Sequence, residues 1–222
     1  MKLIPAFSIK KIGYIFSISI SLLFLHACFE YEETVHFYNK NFSGMIEIKY
    51  LVPLNKAKDK SLIKFLSIDK EEVENKLSGY DLNLIEFQKT IVEKDEAKSL
   101  FPYKAQVSYK IIFKKFSDLN GILIGTMLTK KKGKTIVVSR EFRTISNPLN
   151  KQSTQGEKKI HNQILKFLKN GYMKFTILLP QNSECKTTHG QIENGFLSYT
   201  LPLSETMERP DVQSWDFSIT LP

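Results

Sequence analysis

The sequence is poor in cysteine, glycine and proline. Its 2 cysteines among 222 residues exclude a scaffold built from disulfides and a cysteine-rich zinc module. Its 10 glycines and 8 prolines together make about 8% of the chain, below the roughly 12% of average proteins. With a hydrophobic content of 42%, this argues against a disordered, collagen-like or low-complexity chain. We therefore expect a folded unit with a hydrophobic core.

Motifs that carry chemistry are also missing. After residue 27 the histidines, His36, His161 and His189, stand alone, and neither H-E-x-x-H, C-x-x-C nor an EF-hand loop occurs. The chain has no G-x-S-x-G elbow, no S-x-x-K set with its partner motifs, and no glycine-rich phosphate loop. Cys185 precedes His189 closely, but no catalytic signature surrounds the thiol. We expect no enzymatic activity, no cofactor and no metal, with an envelope hydrolase as the least favoured alternative.

The N-terminus has the pattern of a secretory signal. An apolar run over 12–25 follows Lys2, Lys10 and Lys11, and no acidic residue occurs before Cys28. A positive segment followed by a short apolar segment is typical of a signal peptide. The run is shorter than the roughly 20 apolar residues that a membrane-spanning helix needs. We predict a signal peptide over 1–27, with a retained membrane anchor as the alternative.

The apolar run ends in Leu25-His26-Ala27-Cys28, which resembles the lipobox of bacterial lipoproteins. His26 is bulkier than the usual residue at that place, a feature similar to the relaxed lipoboxes of spirochaete lipoproteins. The resemblance implies cleavage between Ala27 and Cys28 and acylation of Cys28 with chains such as palmitate. Two or three acyl chains anchor a protein stably in a membrane. Phe29 stands where aspartate would signal inner-membrane retention, so the resemblance favours a lipid anchor in the outer membrane of the cell envelope.

Removal of the leader changes the composition of the mature chain. It leaves 195 residues (222 − 27) with a formal charge of +6, because three lysines are lost from +9. Cys185 becomes the remaining unmodified thiol. We expect it to be buried and inert, and a free thiol or an intermolecular partner is the alternative.

The tether between the lipid and the fold is short. Strand-like sequence begins at Thr34, so the chain from Cys28 spans only about 20 Å when extended. We therefore expect a domain close to the bilayer. Three carboxylates are expected beside the headgroups: Glu30, Glu32 and Glu33.

Hydropathy alternation predicts a mostly antiparallel α+β fold of about nine strands and three helices, forming one domain over 28–222. The clearest strand is 103–113, where apolar residues alternate with polar ones and predict one buried face and one wet face. The pair Asn194-Gly195 predicts a tight hairpin turn.

Helical periodicity and capping residues predict where the helices lie. They are expected over 56–66, 69–78 and 154–170. Thr154 and Glu157 form a capping-box pair at the start of the third helix. The polar loop 147–156 is the candidate seam between two sub-domains.

A lysine cluster is the densest charge in the chain. Lys130, Lys131, Lys132 and Lys134 surround Gly133 at a predicted hairpin tip, where they are candidates for contact with an anionic surface. The alternative is a solvated tip whose charges protect a sheet edge. Nucleic acid is disfavoured as a partner because the leader directs the chain out of the cytoplasm.

The aromatic residues allow two interpretations. The chain has 16 phenylalanines and 9 tyrosines. A curved antiparallel sheet can enclose an apolar cavity for a lipid or other amphiphile. The alternative is plain core packing, which large aromatic side chains serve well.

Taken together, the lipobox, the Ser43-Gly44 turn and the closing segments 199–203 and 215–217 resemble uncharacterised bacterial cell-envelope lipoproteins. They are loosely similar to the LppM-type lipoprotein domain, an α+β domain thought to bind amphiphilic glycolipids. The resemblance implies a membrane-anchored protein with a non-enzymatic binding role, for an amphiphile or an envelope protein. The alternative is a surface or structural lipoprotein that contacts other proteins.

Overall fold

The computed structural model describes residues 29–38, 41–55, 59–93, 101–142, 154–208 and 213–222. The strands are β1 Glu30–Phe37, β2 Gly44–Asn55, β3 Lys60–Ser61, β4 Leu82–Glu93, β5 Tyr103–Phe113, β6 Thr126–Lys132, β7 Thr135–Phe142, β8 Tyr172–Leu178, β9 Glu184–Thr187, β10 Gln191–Glu193, β11 Phe196–Pro202 and β12 Gln213–Thr220. The helices are α1 Lys70–Leu77, α2 Gln155–Lys169 and α3 Leu203–Glu208, with a short 3₁₀ helix at Phe116–Leu119. Within these ranges no helix combines the length and the hydrophobicity needed to cross a bilayer.

The strands form two sheets. The large sheet has the order β10-β11-β8-β1-β2-β5-β4, with β3 paired to β2. The small sheet has the order β6-β7-β12-β9. Strand β1 runs parallel to β8, whereas every other pairing in the described sheets is antiparallel. The predicted α+β class is therefore confirmed, with more strands than the sequence pattern indicates.

Alternation on β5 decides which face of the large sheet is buried. The alternate positions from Ala105 to Phe113 are buried, as predicted, whereas Gln106, Ser108 and the apolar Ile112 lie on the wetter face. Lys104 departs from the pattern: its side chain is buried, and its ammonium lies 5.2 Å from the centroid of the Phe167 ring on α2. Such a cation over an aromatic face is attracted to the ring, and this helps to offset the burial of the lysine.

The core between the two sheets is densely packed with aromatic rings. Phe175 on β8 lies at its centre, 5.0 Å from Phe142 and 5.6 Å from Trp215 between ring centroids. A gap of only about 10 Å³ remains beside these rings. That volume has room for one water molecule at most, so the aromatic residues at this place serve plain core packing.

The predicted helix over 56–66 is wrong. Its described part contains β3 and a series of turns, in which Leu62 N–H donates to the Pro53 carbonyl at 2.9 Å. The Ser61 hydroxyl accepts a hydrogen bond from the Ile63 N–H at 3.0 Å. A side chain that binds the local backbone in this way competes with helix formation. Besides β3, the short elements that the pattern did not predict are β9, α3 and the 3₁₀ helix at Phe116–Leu119.

The start of the fold differs from its prediction. The first strand begins at Glu30 rather than Thr34, and Phe29 is already buried, with its ring 6.4 Å from that of Phe167. Glu33 lies in the core, so its expected position beside the headgroups is wrong. Alternation along β1 explains this, because Glu33 shares its face with Tyr31 and Val35.

Two local predictions agree with the structure. Asn194 and Gly195 connect β10 to β11 with φ angles of 50° and 79°, the positive values that a tight hairpin turn requires. The capping box at α2 is present, since the Thr154 hydroxyl accepts from the Glu157 N–H at 3.3 Å. The candidate seam over 147–156 lies outside the described residues up to position 153.

Replacing Thr154 with alanine should lower the free energy of unfolding by about 1 kcal/mol at neutral pH, because α2 loses its cap. Hydrogen bonds from the Thr154 backbone and hydroxyl lower the pKa of Glu157 below its ordinary value. A lowered carboxyl pKa adds stability above the unfolded-state pKa, and that stability is lost as the pH falls through the folded-state pKa. In urea titrations the difference in the free energy of unfolding between the two proteins should therefore be smaller below about pH 4 than at neutral pH. An equal difference under the two conditions would contradict this.

Candidate functional site

The predicted lipidation site, Cys28, and the residue before it, Ala27, lie outside the described residues. The structure does describe Phe29, to which Cys28 is bonded. The Phe29 carbonyl accepts a hydrogen bond from the Tyr172 N–H at 3.0 Å and lies close to Gly171. A methyl group on Gly171 would approach that carbonyl oxygen to 2.5 Å, so glycine is required for this contact. The fold therefore begins directly after residue 28, without a spacer.

The predicted lysine cluster divides between the two faces of β6. Lys130 and Lys132 lie on its outer face, and Lys131 lies on the inner side, with its ammonium 6.0 Å from the centroid of the Phe42 ring. Lys134, in the turn, donates to the Pro222 carbonyl at 2.7 Å. These charges line an edge strand of the small sheet, a position where lysine discourages pairing with another chain.

The thiol and the nearby histidine have separate surroundings. Cys185 lies on β9 opposite Ile219, where burial raises the pKa of its thiol. The ring of His189 stacks on Tyr199 with centroids 6.0 Å apart. A raised thiol pKa lowers the fraction of nucleophilic thiolate. Among the described residues, no group of three or more histidine, cysteine, aspartate or glutamate side chains is arranged to hold a metal ion.

An aromatic row crosses the inner face of the large sheet. It consists of Phe87, Tyr109, Tyr50, Tyr31, Phe175 and Tyr199, one from each of six neighbouring strands. Tyr31 is paired with Tyr50 across β1 and β2, and their rings stack with centroids 6.2 Å apart. Tyr109 meets Tyr50 edge-on at 6.1 Å. The row therefore forms a continuous aromatic surface on that side of the sheet.

A cavity of about 290 Å³ lies against the middle of this row, and we call it the tyrosine cavity. Its floor is Tyr31, Tyr50 and Tyr109. The turn 64–67, α1 and the loop 121–124 form its walls. The volume is at the lower end of the range for small-molecule pockets, which suits one acyl chain end or a small head group.

The hydroxyl groups of the floor remain uncharged. Tyr31 donates to Glu33 at 2.5 Å, and Tyr50 donates to the Ser67 carbonyl. Burial, above all, raises the pKa of Tyr31, Tyr50 and Tyr109 far above the physiological range. The floor therefore offers aromatic faces and neutral hydroxyl groups, without a nucleophile or a general base.

Two lysines stand at the cavity. Lys64 is exposed, and Lys76 on α1 donates to the Phe65 carbonyl at 2.6 Å. Partial burial lowers the pKa of Lys76, and the charge of Glu72 opposes that shift. A partly desolvated ammonium is stabilised by a nearby anion. The site thus combines an aromatic floor with a cationic wall.

A buried ion pair supports one wall of the cavity. The Arg140 guanidinium donates to both oxygens of Glu33 at 2.5 and 2.8 Å, and its Nε donates to the Ile124 carbonyl at 3.0 Å. Burial lowers the pKa of the Arg140 guanidinium, but the charge and hydrogen bonds of Glu33, together with Tyr31, outweigh burial, so this pKa is raised. Arg140 therefore links the small sheet to β1 and holds the cavity loop in place.

Sequence reasoning did not identify the tyrosine cavity. A signal existed, since Tyr31, Tyr50 and Tyr109 occupy inward positions of three alternating strands, where a hydroxyl group needs a partner. Their convergence depends on the strand order β1-β2-β5, and the walls come from segments that are distant in sequence.

Comparison with known proteins identifies the family of the chain. No curated protein matches the chain. A family model described as LIC11874-like, whose label is a locus tag of the spirochaete Leptospira, matches residues 23–222. The matched segment includes the end of the predicted leader and all described residues. Because it covers nearly the whole chain, the chain belongs to the LIC11874-like family.

Proposed function

We propose that this protein is a lipoprotein of the cell envelope, anchored through acylated Cys28, and that it binds an amphiphile in the tyrosine cavity without acting on it chemically. The leader and the lipobox support the anchor, and the absence of a spacer before Phe29 would hold the domain close to the bilayer. The absence of aspartate after Cys28 favours the outer membrane. The binding role rests on the cavity itself.

The single observation that carries the binding role is the chemistry of the cavity lining. An aromatic floor favours apolar chain segments, because burying each methylene contributes about 0.8 kcal/mol. Lys76 and Lys64 stand on the same cavity and suit a carboxylate or phosphate. A ligand with a short apolar part and an anionic head matches both features.

Filling part of the cavity should weaken this binding. Val73 is a buried residue of α1 that lines the cavity, and phenylalanine at this position would occupy part of its volume. We expect Val73→Phe to reduce the binding of dodecanoate at least about tenfold, equivalent to roughly 1.4 kcal/mol. The measurement is photocrosslinking of the full chain, in phospholipid nanodiscs, with dodecanoate that carries a diazirine at the chain end. Adducts should map to the residues lining the cavity and should disappear with excess unlabelled dodecanoate.

Matched variants separate binding from folding. Val137→Phe adds the same group on the exposed outer face of the small sheet and should leave the adducts unchanged. Lys76→Gln should weaken the binding of dodecanoate but not that of dodecanol. Lys70→Gln, on the same helix but away from the cavity lining, should weaken the binding of neither. Equal, unsaturable labelling of all these proteins would overturn the proposed function, even if Val73→Phe failed to fold.

A second candidate, protein interaction, is favoured by one observation. Leu128 and Val137 are 64% and 46% exposed on the outer face of the small sheet. In the strand register Val137 lies between Lys130 and Ser218, and Ser218 is paired with Lys186. Exposed apolar side chains bordered by lysines fit an apolar protein surface with an acidic rim. This role would be favoured if dodecanoate gave no saturable adduct.

A further inference from the structure

Helix α2 presents a basic face to solvent. Its stripe of Phe167 and Leu168 is buried, whereas Lys158, Lys159 and Lys166 are exposed. Lys159 and Lys166 are seven residues apart, two turns of a helix, and therefore project from the same side. The helix carries one acidic residue, Glu157, so this side is strongly positive.

The same helix lies where the chain enters the fold. The Phe29 ring packs edge-on against Phe167 at 6.4 Å, and the Phe29 backbone contacts Gly171 just after the helix. Residue 28 is bonded to Phe29, so its Cα lies within about 4 Å of the Phe29 Cα. With Phe29 buried, no flexible segment separates residue 28 from the domain. An acyl anchor at this place would bring the bilayer surface to the C-terminal end of α2.

The other lysine cluster is at the opposite end of β1. Lys131 lies over Phe42, and Phe42 packs on Phe37 at 5.4 Å. From Phe29 to Phe37 the strand extends about 26 Å, at roughly 3.3 Å per residue. That distance is several times the Debye length of about 8 Å at physiological salt. Lys130 and Lys132 therefore provide an internal control for any effect of the bilayer.

Two carboxylates near the entry point, Glu30 and Glu32, oppose the lysines. Glu32 accepts a hydrogen bond from the Tyr172 hydroxyl at 3.3 Å. Burial, followed by the charge of Glu32, raises the pKa of Glu30, and the charge of Lys104 opposes that shift. Glu33 is neutralised by Arg140 in the core. The four lysines of α2 still outnumber Glu30, Glu32 and Glu157, so this end keeps a net positive charge.

We infer that the lysine face of α2 rests on anionic lipid headgroups and fixes the orientation of the domain on the membrane. This inference rests on the proposed anchor at Cys28. Lysines near an anionic surface are attracted by about 1 kcal/mol each, and an anchor without a spacer holds them within reach of that surface. The tyrosine cavity would then keep one constant orientation relative to the bilayer.

The test is lysine labelling of the full, acylated chain in vesicles. Sulfo-NHS-acetate would be applied to the chain in phosphatidylcholine vesicles with and without phosphatidylglycerol, and each lysine would be quantified by mass spectrometry. In the anionic vesicles Lys158, Lys159 and Lys166 should react about fivefold more slowly, the factor that corresponds to about 1 kcal/mol. Lys130 and Lys132 should react at the same rate in both. High salt should remove the protection.

The controls distinguish this inference from the proposed anchor. Intact mass and vesicle flotation, with Cys28→Ser as the reference, decide whether the chain is acylated and membrane-bound. An unacylated chain that fails to float would overturn both the anchor and the orientation. An acylated, floating chain with uniform labelling would overturn the orientation alone. A variant with Lys158, Lys159 and Lys166 changed to glutamine should float through its lipid, and the labelling rates of its remaining lysines should not differ between the two lipid mixtures.

Discussion

Replacing Arg140 with methionine should lower the free energy of unfolding by about 3–5 kcal/mol, the usual cost of leaving a buried charge unpaired. Glu33 and Arg140 are 2% and 3% exposed, and their hydrogen bonds are bidentate. Methionine keeps much of the length of the side chain, so the loss would come from the stranded Glu33 carboxylate rather than from a cavity. Denaturant unfolding, followed by circular dichroism, measures the effect.

Two further variants test the reason for this loss. Changing Glu33 to leucine together with Arg140→Met should recover most of the stability, because no unpaired charge is left in the core. Lys114→Met removes a partner of the exposed Lys114–Asp81 pair, whose atoms are 2.9 Å apart, and should cost at most about 1 kcal/mol. Similar losses for Arg140→Met and Lys114→Met would contradict a special role for the buried pair.

Arg140 also connects stability with the candidate site. Its guanidinium donates to the carbonyl of Ile124, and Ile124 lines the tyrosine cavity. Removal of that donor frees the loop 121–124 from the small sheet. We therefore expect Arg140→Met to weaken dodecanoate labelling as well, under conditions where the variant is still folded.

Replacing Phe175 with alanine should cost about 3–5 kcal/mol, as is usual for deletion of a buried phenyl ring. Phe175 is 1% exposed and contacts rings from both sheets, with Trp215 at 5.6 Å and Tyr199 at 6.2 Å. Its ring also lies 4.5 Å from the Arg140 guanidinium. The near-ultraviolet circular dichroism of Trp215, the single tryptophan, should change together with the denaturation midpoint.

Phe196→Ala is the matched control. Phe196 begins β11 and is 42% exposed, so its truncation removes a ring of the same size from the surface. It should change the free energy of unfolding by less than about 1 kcal/mol. If Phe175→Ala and Phe196→Ala had equal effects, the aromatic core would not be the main connection between the two sheets.

Signals that depend on neighbouring residues were read correctly from the sequence. The Thr154–Glu157 cap, the Asn194-Gly195 turn and the alternating strand at 103–113 all formed as predicted. Each of these is determined by hydrogen bonding or steric preference within a few residues. The helix expected over 56–66 failed for the same kind of reason, because Ser61 bonds to nearby backbone groups and the chain pairs with β2.

Features that join distant residues could not be read in this way. Glu33 and Arg140 are 107 positions apart, and β1 lies parallel to β8 across more than half of the chain. Three neighbouring glutamates, Glu30, Glu32 and Glu33, look alike in the sequence. Only the strand register shows that one of them faces the core and needs a buried cation.

The sequence by itself determined the α+β class and the local caps and turns. It also predicts a lipobox just before the fold. Those properties depend on composition, on short periodicity and on contiguous motifs. The tertiary structure decided that Tyr31, Tyr50 and Tyr109 share one cavity and that α2, rather than the 130–134 cluster, lies beside Phe29. These are consequences of strand order and long-range packing, which no local pattern encodes, because each depends on which segments meet once the two sheets have formed.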